Sequence, residues 1–302
     1  MKQEKRSSGI LMVGLGEILW DLLPAGKALG GAPANFAYHA SALGNIGISA
    51  SRVGRDALGR EILALLKSKN LETEYIQLDP QLPTGTVAVD VSDDGQPKFT
   101  IHENVAWDQL QFTPEFQELA GSVSVICFGT LARRSQVSRN TIQAFLNAAQ
   151  EDCLKIFDIN IRQHYYDRQL ILDSLEVSHI LKLNDTELPL LAELLNLHQK
   201  SEIGRCRAIC EKYAQNMVCL TKGKHGSMLV SRDDSYTHPG YQVEAVDSVG
   251  SGDAFTAAMA HHVLEGGTLE QISNAANRLG AYVAAQPGAT PEIDEQILKS
   301  IR

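Results

Sequence analysis

Apolar positions along the chain follow two rhythms. Short, mostly apolar stretches at 10–13, 123–128, 155–158, 180–183, 217–221 and 227–231 have the length of buried strands. At 34–43, 57–67, 138–150, 203–213, 254–264 and 269–285 the spacing is helical, and a further helix is expected near Asp185. The first of these helices has Pro33 near its start and Gly44 at its end, each where that residue is tolerated best. Strands alternating with helices predict an α/β fold with a mainly parallel sheet covered on both faces. Such sheets hold ligands at the carboxyl ends of their strands.

Two segments break this rhythm. In 84–101, Val87, Val89 and Val91 alternate with Ala88, Asp90 and Ser92. Asp93-Asp94-Gly95 follows, then Phe99 and Ile101. Period two interrupted by a glycine-containing turn predicts a hairpin, and it reads as an accessory sheet. The segment 17–30, with Trp20, Asp21, Pro24 and several glycines, reads as a loop or short edge strands. No repeat, low-complexity tract or dividing linker is evident, so 1–302 is read as one domain.

Composition narrows the classes. The chain has 302 residues, 44% hydrophobic and 21% charged, enough for a sizeable core. A formal charge of −9 argues against nucleic acid as a partner, yet leaves room for a local phosphate site built from backbone N–H groups. The five cysteines, at 127, 153, 206, 210 and 219, are odd in number and fit no disulfide framework. Cys206 and Cys210 lie one helical turn apart, but two ligands do not make a zinc site. All five read as buried thiols of a reducing cytosol. The polar start MKQEKRSSG lacks a signal-peptide core, and no run reaches the ~18 apolar residues of a membrane span. A cytoplasmic protein with no membrane partner is expected.

The richest local chemistry lies at Asp247-Ser248-Val249-Gly250-Ser251-Gly252-Asp253, directly before an apolar helix. The glycines admit unusual backbone turns, and the N–H groups of 250–253 would point outward at a helix N-terminus. That is an anion hole suited to a phosphoryl group, with Asp253 beside it as a base for an attacking hydroxyl. The plainer alternative is a glycine turn with Asp253 as a helix cap. A second glycine-rich stretch, Gly30-Gly31-Ala32-Pro33-Ala34-Asn35, again joins a loop to a helix, and Asn35 offers both donor and acceptor to a sugar hydroxyl. Upstream, Glu17 and Asp21 supply carboxylates suited to vicinal hydroxyls.

Together these stretches resemble the paired signatures of the PfkB (ribokinase-like) carbohydrate kinases. The early one reads GGAPANFA and the late one DSVGSGDAF. Four further matches follow the family's order: Val53-Gly54-Arg55-Asp56-Ala57-Leu58-Gly59, Asp158-Ile159-Asn160-Ile161-Arg162, Lys182-Leu183-Asn184-Asp185-Thr186-Glu187, and Thr221-Lys222-Gly223 with Gly226. The opening pair, GEILWD with GGAPAN, looks most like the fructokinase branch.

The resemblance implies a ribokinase-like α/β/α sandwich with a small β-sheet lid, formed by about 17–31 and 84–106. It implies ATP-dependent phosphorylation of a small sugar, fructose foremost. Asp253 would be the base, Gly250, Ser251 and Gly252 would stabilise the transferring phosphoryl group, and Arg162 would stand near the phosphates. Asp21, Gly31 and Asn35 would hold the sugar, with Trp20 a candidate for stacking on it. Thr221, Gly223, Gly226, Asn184 and Asn277 would serve the nucleotide. Asn184 and Glu187 would orient Mg²⁺ through water. The backbone at Asp247, Val249 and Gly288 matches positions that hold K⁺ in many relatives. A homodimer through the lid is a further implication.

Ser248 stands where the family usually has Thr, which keeps the hydroxyl. Another acceptor, such as 2-keto-3-deoxygluconate or ribose, is the alternative. A sugar acid would need a positive side chain in the pocket, and none stands near Asp21 or Asn35 in sequence. A non-catalytic relative would be expected to lose Asp253 or the glycines, and all are present. His261-His262 has no third ligand and reads as packing or surface. Trp107 reads as packing. Lys222 and Lys224 read equally as a solvated pair or as groups facing phosphates. No P-loop or dinucleotide fingerprint occurs.

Overall fold

The computed structural model describes residues 9–23, 26–91 and 97–301; the expected Asp93-Asp94-Gly95 turn, Pro24 and the polar start at 1–8 lie outside them. The chain opens with β1 (Leu11–Leu15), β2 (Leu19–Leu23), β3 (Gly26–Gly30) and α1 (Ala32–Ala42). Next come β4 (Ile46–Gly54), α2 (Ala57–Ser68), β5 (Ile76–Asp79), β6 (Gly85–Val91) and β7 (Pro97–Ile101). The middle holds α3 (Pro114–Ala120), β8 (Val125–Phe128), α4 (Gln136–Ala148), β9 (Leu154–Asp158), α5 (Arg168–Val177), β10 (Ile180–Asn184) and α6 (Glu187–Leu194). The last part holds α7 (Glu202–Tyr213), β11 (Met217–Thr221), β12 (Ser227–Val230), β13 (Ser235–His238), α8 (Ser251–Leu264), α9 (Leu269–Ala284) and α10 (Glu295–Ile301).

Nine strands form one sheet in the order β13-β12-β11-β10-β9-β8-β1-β4-β5. Every pairing from β5 to β11 is parallel, and β12 and β13 turn back antiparallel at one edge. The mostly apolar character of these strands arises because both faces are covered. Successive residues feed opposite cores: Met12, Cys127, Ile156 and Cys219 pack under α8 and α9, while Val13, Phe128, Phe157 and Leu220 pack on the other side. Helix α8 is buried almost all round, from Ala254 to His262, as befits a helix wedged between α1, α9 and the sheet. All five cysteines are buried free thiols, as expected.

The accessory element is a separate four-stranded sheet, β3-β2-β6-β7, in which β2 and β6 run parallel and the outer pairs antiparallel. Residues 19–23 and 26–30 are therefore strands rather than loop, and the first of them, β2, lies beside the hairpin. A third apolar cluster, with Ile18, Trp20, Leu29, Val53 and Ile62, seats this sheet against α2. Strand β4 carries no clean apolar run, because Ser49, Ser51 and Arg52 interrupt it, yet it is buried along most of its length. Among the described residues no helix is long and apolar enough to cross a membrane.

Candidate active site

Helix α8 starts where the main sheet's carboxyl ends open. Gly250 precedes it with φ 77°, a left-handed conformation that costs most side chains roughly 1 kcal/mol or more. A Cβ there would also come within 2.5 Å of the Ala289 carbonyl. The turn needs glycine on both counts, and it leaves the first N–H groups of α8 facing outward, a place for an anion. Asp253 lies in the first helical turn, half-buried. Its Oδ2 accepts a 2.8 Å hydrogen bond from the Asn35 amide of α1, so the two glycine-rich stretches, 218 residues apart, meet at one carboxylate.

Beneath this turn stands a buried ion pair. Lys182 Nζ lies 3.0 Å from Asp158 Oδ1, and the Thr256 hydroxyl donates to Asp158 Oδ2 at 3.1 Å. A Cβ on Gly252 would sit 3.2 Å from the Lys182 ammonium, so that cation underlies the glycine turn. Burial works against the Lys182 charge, but Asp158, Asp253 and Glu187 outweigh it and raise its pKa. Burial pushes the Asp253 carboxyl up to about 6, with the Asp158 charge adding, while Asn35, Lys182 and Arg162 pull it down. Sequence reasoning gave Lys182 and Asp158 no role of their own, although both stand inside quoted motifs.

Glu17, a candidate carboxylate for sugar hydroxyls, lies deeper. It is buried, and Oε2 has no hydrogen-bond partner. Together with Cys127, Asp158, Asn160 and Asp253 it lines an enclosed cavity of about 10 Å³, close to the smallest that holds one water. Burial lifts its pKa to about 7 against the pull of its own backbone N–H and the Arg162 charge. Arg162 is exposed, follows β9, and acts on Glu17, Asp21 and Asp253 alike. A positive side chain thus does reach the ground around Asp21, which the sequence alone did not place there.

On β2, Asp21 and Trp20 point to opposite faces. Asp21 reaches over β3, where a Cβ on Gly30 would come within 2.4 Å of its Oδ2. Burial raises Asp21 to about 6, Arg162 opposes this and Asp247 adds to it. Gly31 has φ 109°, caps α1, and has no room for a Cβ beside the Glu17 carbonyl, 2.5 Å away. Trp20 turns the other way: its indole N–H donates to the Leu58 carbonyl at 3.1 Å, within the cluster against α2. That corrects the stacking expectation; strand alternation sends Trp20 into the core while it presents Asp21. Trp107 is fully buried, as expected.

Asn184 and Glu187 are committed to the backbone. The Asn184 Oδ1 accepts from the N–H groups of Thr186 and Glu187, and Glu187 Oε2 accepts from the Asn184 N–H. This reciprocal pair has the logic of a capping box where β10 turns into α6. The other Glu187 oxygen accepts from the Ile161 N–H, fixing the loop that carries Arg162. These oxygens do not fit direct coordination of a cation, and the fit that remains is through water. Thr221 and Gly223 flank the end of β11, and Gly226 makes a tight turn against His238 and Gly240. Asn277 is buried in α9, its amide donating to Ser227 and Ser273. Asp247 joins two segments, accepting from the N–H groups of Val249 and Gly288. Lys222 pairs with Glu202. His261 and His262 are buried in α8, His262 bonded to the Ile301 carbonyl.

A profile of the pfkB family carbohydrate kinases matches residues 25–296. The fructokinase of Klebsiella pneumoniae is 31% identical over 259 residues, 81% of each chain. Fructokinase-1 of rice is 26% identical over 313 residues, 95% of each chain. The crystal structure of an uncharacterized sugar kinase from Pyrococcus horikoshii in complex with ATP superposes with a TM-score of 0.79 at 25% identity, covering 93% of this chain and 94% of that one. The fructokinase of Vibrio cholerae, solved with fructose, ADP and calcium, superposes at 0.81 with 22% identity over 98% and 99% of the two chains. The architecture is therefore ribokinase-like, and the chain belongs to the pfkB family of carbohydrate kinases.

Proposed function

We propose that this carbohydrate kinase transfers the γ-phosphate of ATP to the terminal hydroxyl of a small sugar, and that fructose, giving fructose 6-phosphate, is its acceptor. The observation that carries the reading is the Asn35–Asp253 hydrogen bond at the N-terminus of α8. It puts a candidate base, a sugar-side amide and a row of outward N–H groups at one point.

Asp21, Gly31 and Asn35 hold the sugar, and Asp253 removes the proton from the hydroxyl as its oxygen attacks the γ-phosphorus, whose bond to the β,γ-bridging oxygen breaks to release ADP. The N–H groups of Gly250, Ser251 and Gly252 receive the negative oxygens of the phosphoryl group, with the Lys182 charge below and Arg162 above. Thr221, Gly223, Gly226 and Asn277 serve the nucleotide. Mg²⁺ held by the nucleotide's phosphates would neutralise their charge. Mg²⁺ in general keeps several of its waters. Asn184 and Glu187 would then meet those waters. The carbonyls of Asp247, Val249 and Gly288 suit K⁺, since the Asp247 side chain already draws their loops together. The small sheet acts as a lid that excludes water as a rival acceptor. Its edge strands β3 and β7 are where a second copy would pair.

Fructose is favoured by the fructokinases among the relatives and by the fructose-bound Vibrio cholerae enzyme. A sugar acid such as 2-keto-3-deoxygluconate is the second reading, favoured by the Arg162 charge that acts on Asp21. The test is ADP release with Mg-ATP against fructose, glucose, mannose, ribose and 2-keto-3-deoxygluconate, with and without K⁺. Fructose should give the highest kcat/KM. Preference for the keto-acid would move the acceptor to the second reading, and no turnover with any of them would end the kinase reading of this site.

A further inference from the structure

Helix α1 touches the site twice. Asn35 and His39 are four residues apart and share a face. Asn35 reaches Asp253, while His39 Nε2 donates to the Ala289 carbonyl at 2.9 Å. Ala289 is the residue on which the anion-binding turn rests: a Cβ added to Gly250 would lie 2.5 Å from its carbonyl oxygen and 2.7 Å from its Cβ. The next two carbonyls are held as well. Thr290 accepts from Lys69 Nζ at 2.8 Å, and Pro291 accepts from the Tyr38 hydroxyl at 2.8 Å. Lys69 also sits 4.6 Å over the Tyr38 ring. On the near side, the Gly288 N–H is held by Asp247. Four successive loop residues are thus fixed by four side chains, three of them from α1 and the end of α2.

His39 is fully buried, and its Nδ1 has no partner. An unsatisfied buried nitrogen is a cost that a packing residue such as leucine would avoid. What the imidazole supplies is one N–H aimed at Ala289. Burial drives its pKa down to about 4, so the ring stays neutral and the Nε2–H tautomer is set by the carbonyl it faces.

We propose that Tyr38, His39 and Lys69 are positioning residues for phosphoryl transfer, locking the sugar-side helix to the 288–291 loop so that Asp253 and the Gly250 turn are held in register by one rigid element. The proposal rests on the kinase reading of the site. It implies that loosening the loop moves the phosphate cradle relative to the base, where misplacement of about 1 Å can cost about 10²-fold.

The experiment compares His39→Leu, which keeps the volume and removes the donor, with His39→Gln, whose terminal amide restores an N–H at the same reach. Tyr38→Phe removes only the hydroxyl bonded to Pro291 and guards against a His39 variant that fails to fold. Each is assayed for kcat and for both KM values, beside wild type. His39→Leu should lose about tenfold or more in kcat with sugar KM within about twofold, Tyr38→Phe should lose several-fold, and His39→Gln should recover most of the rate. Wild-type kcat in both His39→Leu and Tyr38→Phe, or a His39→Gln variant as slow as His39→Leu, would overturn the proposal. An inactive wild type would overturn the kinase reading beneath it, and this inference with it.

Discussion

Three carboxylates at the site, Asp21, Asp253 and Glu17, are lifted to about 6, 6 and 7, each chiefly because burial disfavours its charge. For a base this is useful. A carboxylate with a pKa near the working pH is a better proton acceptor than an ordinary one and is still ionised at neutrality. The sign of the resulting pH dependence is fixed: Asp253 acts only when deprotonated, so kcat/KM should climb as pH rises through about 6 and level off above it. A pH–rate profile checks this, and a profile flat between about pH 5 and about pH 7 would remove Asp253 from the base role. At this scale the sequence was informative where a motif fixed both residue and turn, as at Gly250 and Asp253. It was silent on Glu17's depth and on the Lys182–Asp158 pair, because burial depends on what packs above a strand end.

At the scale of elements, several family-like motifs turn out to be joints. Asp56 caps α2 by accepting from the Gly59 N–H at 2.7 Å, and it also receives the Thr84 N–H and hydroxyl, each at 2.7 Å. One side chain thus starts a helix and fixes the entry to β6 of the small sheet. Asp56→Ala should lower stability by about 2 kcal/mol, the sum of a lost cap and lost hydrogen bonds to Thr84. Urea denaturation of both proteins measures this, and a difference below about 0.5 kcal/mol would contradict the joint. The reciprocal bonds of Asn184 and Glu187 are a second joint, and the spacing Asn-x-x-Glu before an apolar run was a readable cap signal. The composition of 17–30 fits loop and strand alike; the pairing of β2 decides for strand there and puts Trp20 and Asp21 on opposite faces at once. Strand β4 went unread because Ser49, Ser51 and Arg52 break its apolar pattern, and only the sheet's two covers explain how it stays buried.

For the whole molecule, the long-range arrangement was legible in outline: a parallel sheet and a separate accessory sheet. Hidden from the sequence was how residues 35, 158, 182 and 253 converge, since that follows from strand order, with β1 between β4 and β8 and β9 beside β10. The account's central claim is that this convergence makes Asp253 the base of a sugar kinase. The most direct test is the rate of fructose phosphorylation by Asp253→Asn and wild type at saturating Mg-ATP, with ATP affinity measured on both. The account predicts a loss in kcat of about 10²-fold or more with ATP affinity nearly unchanged. A kcat close to wild type in that variant would contradict it.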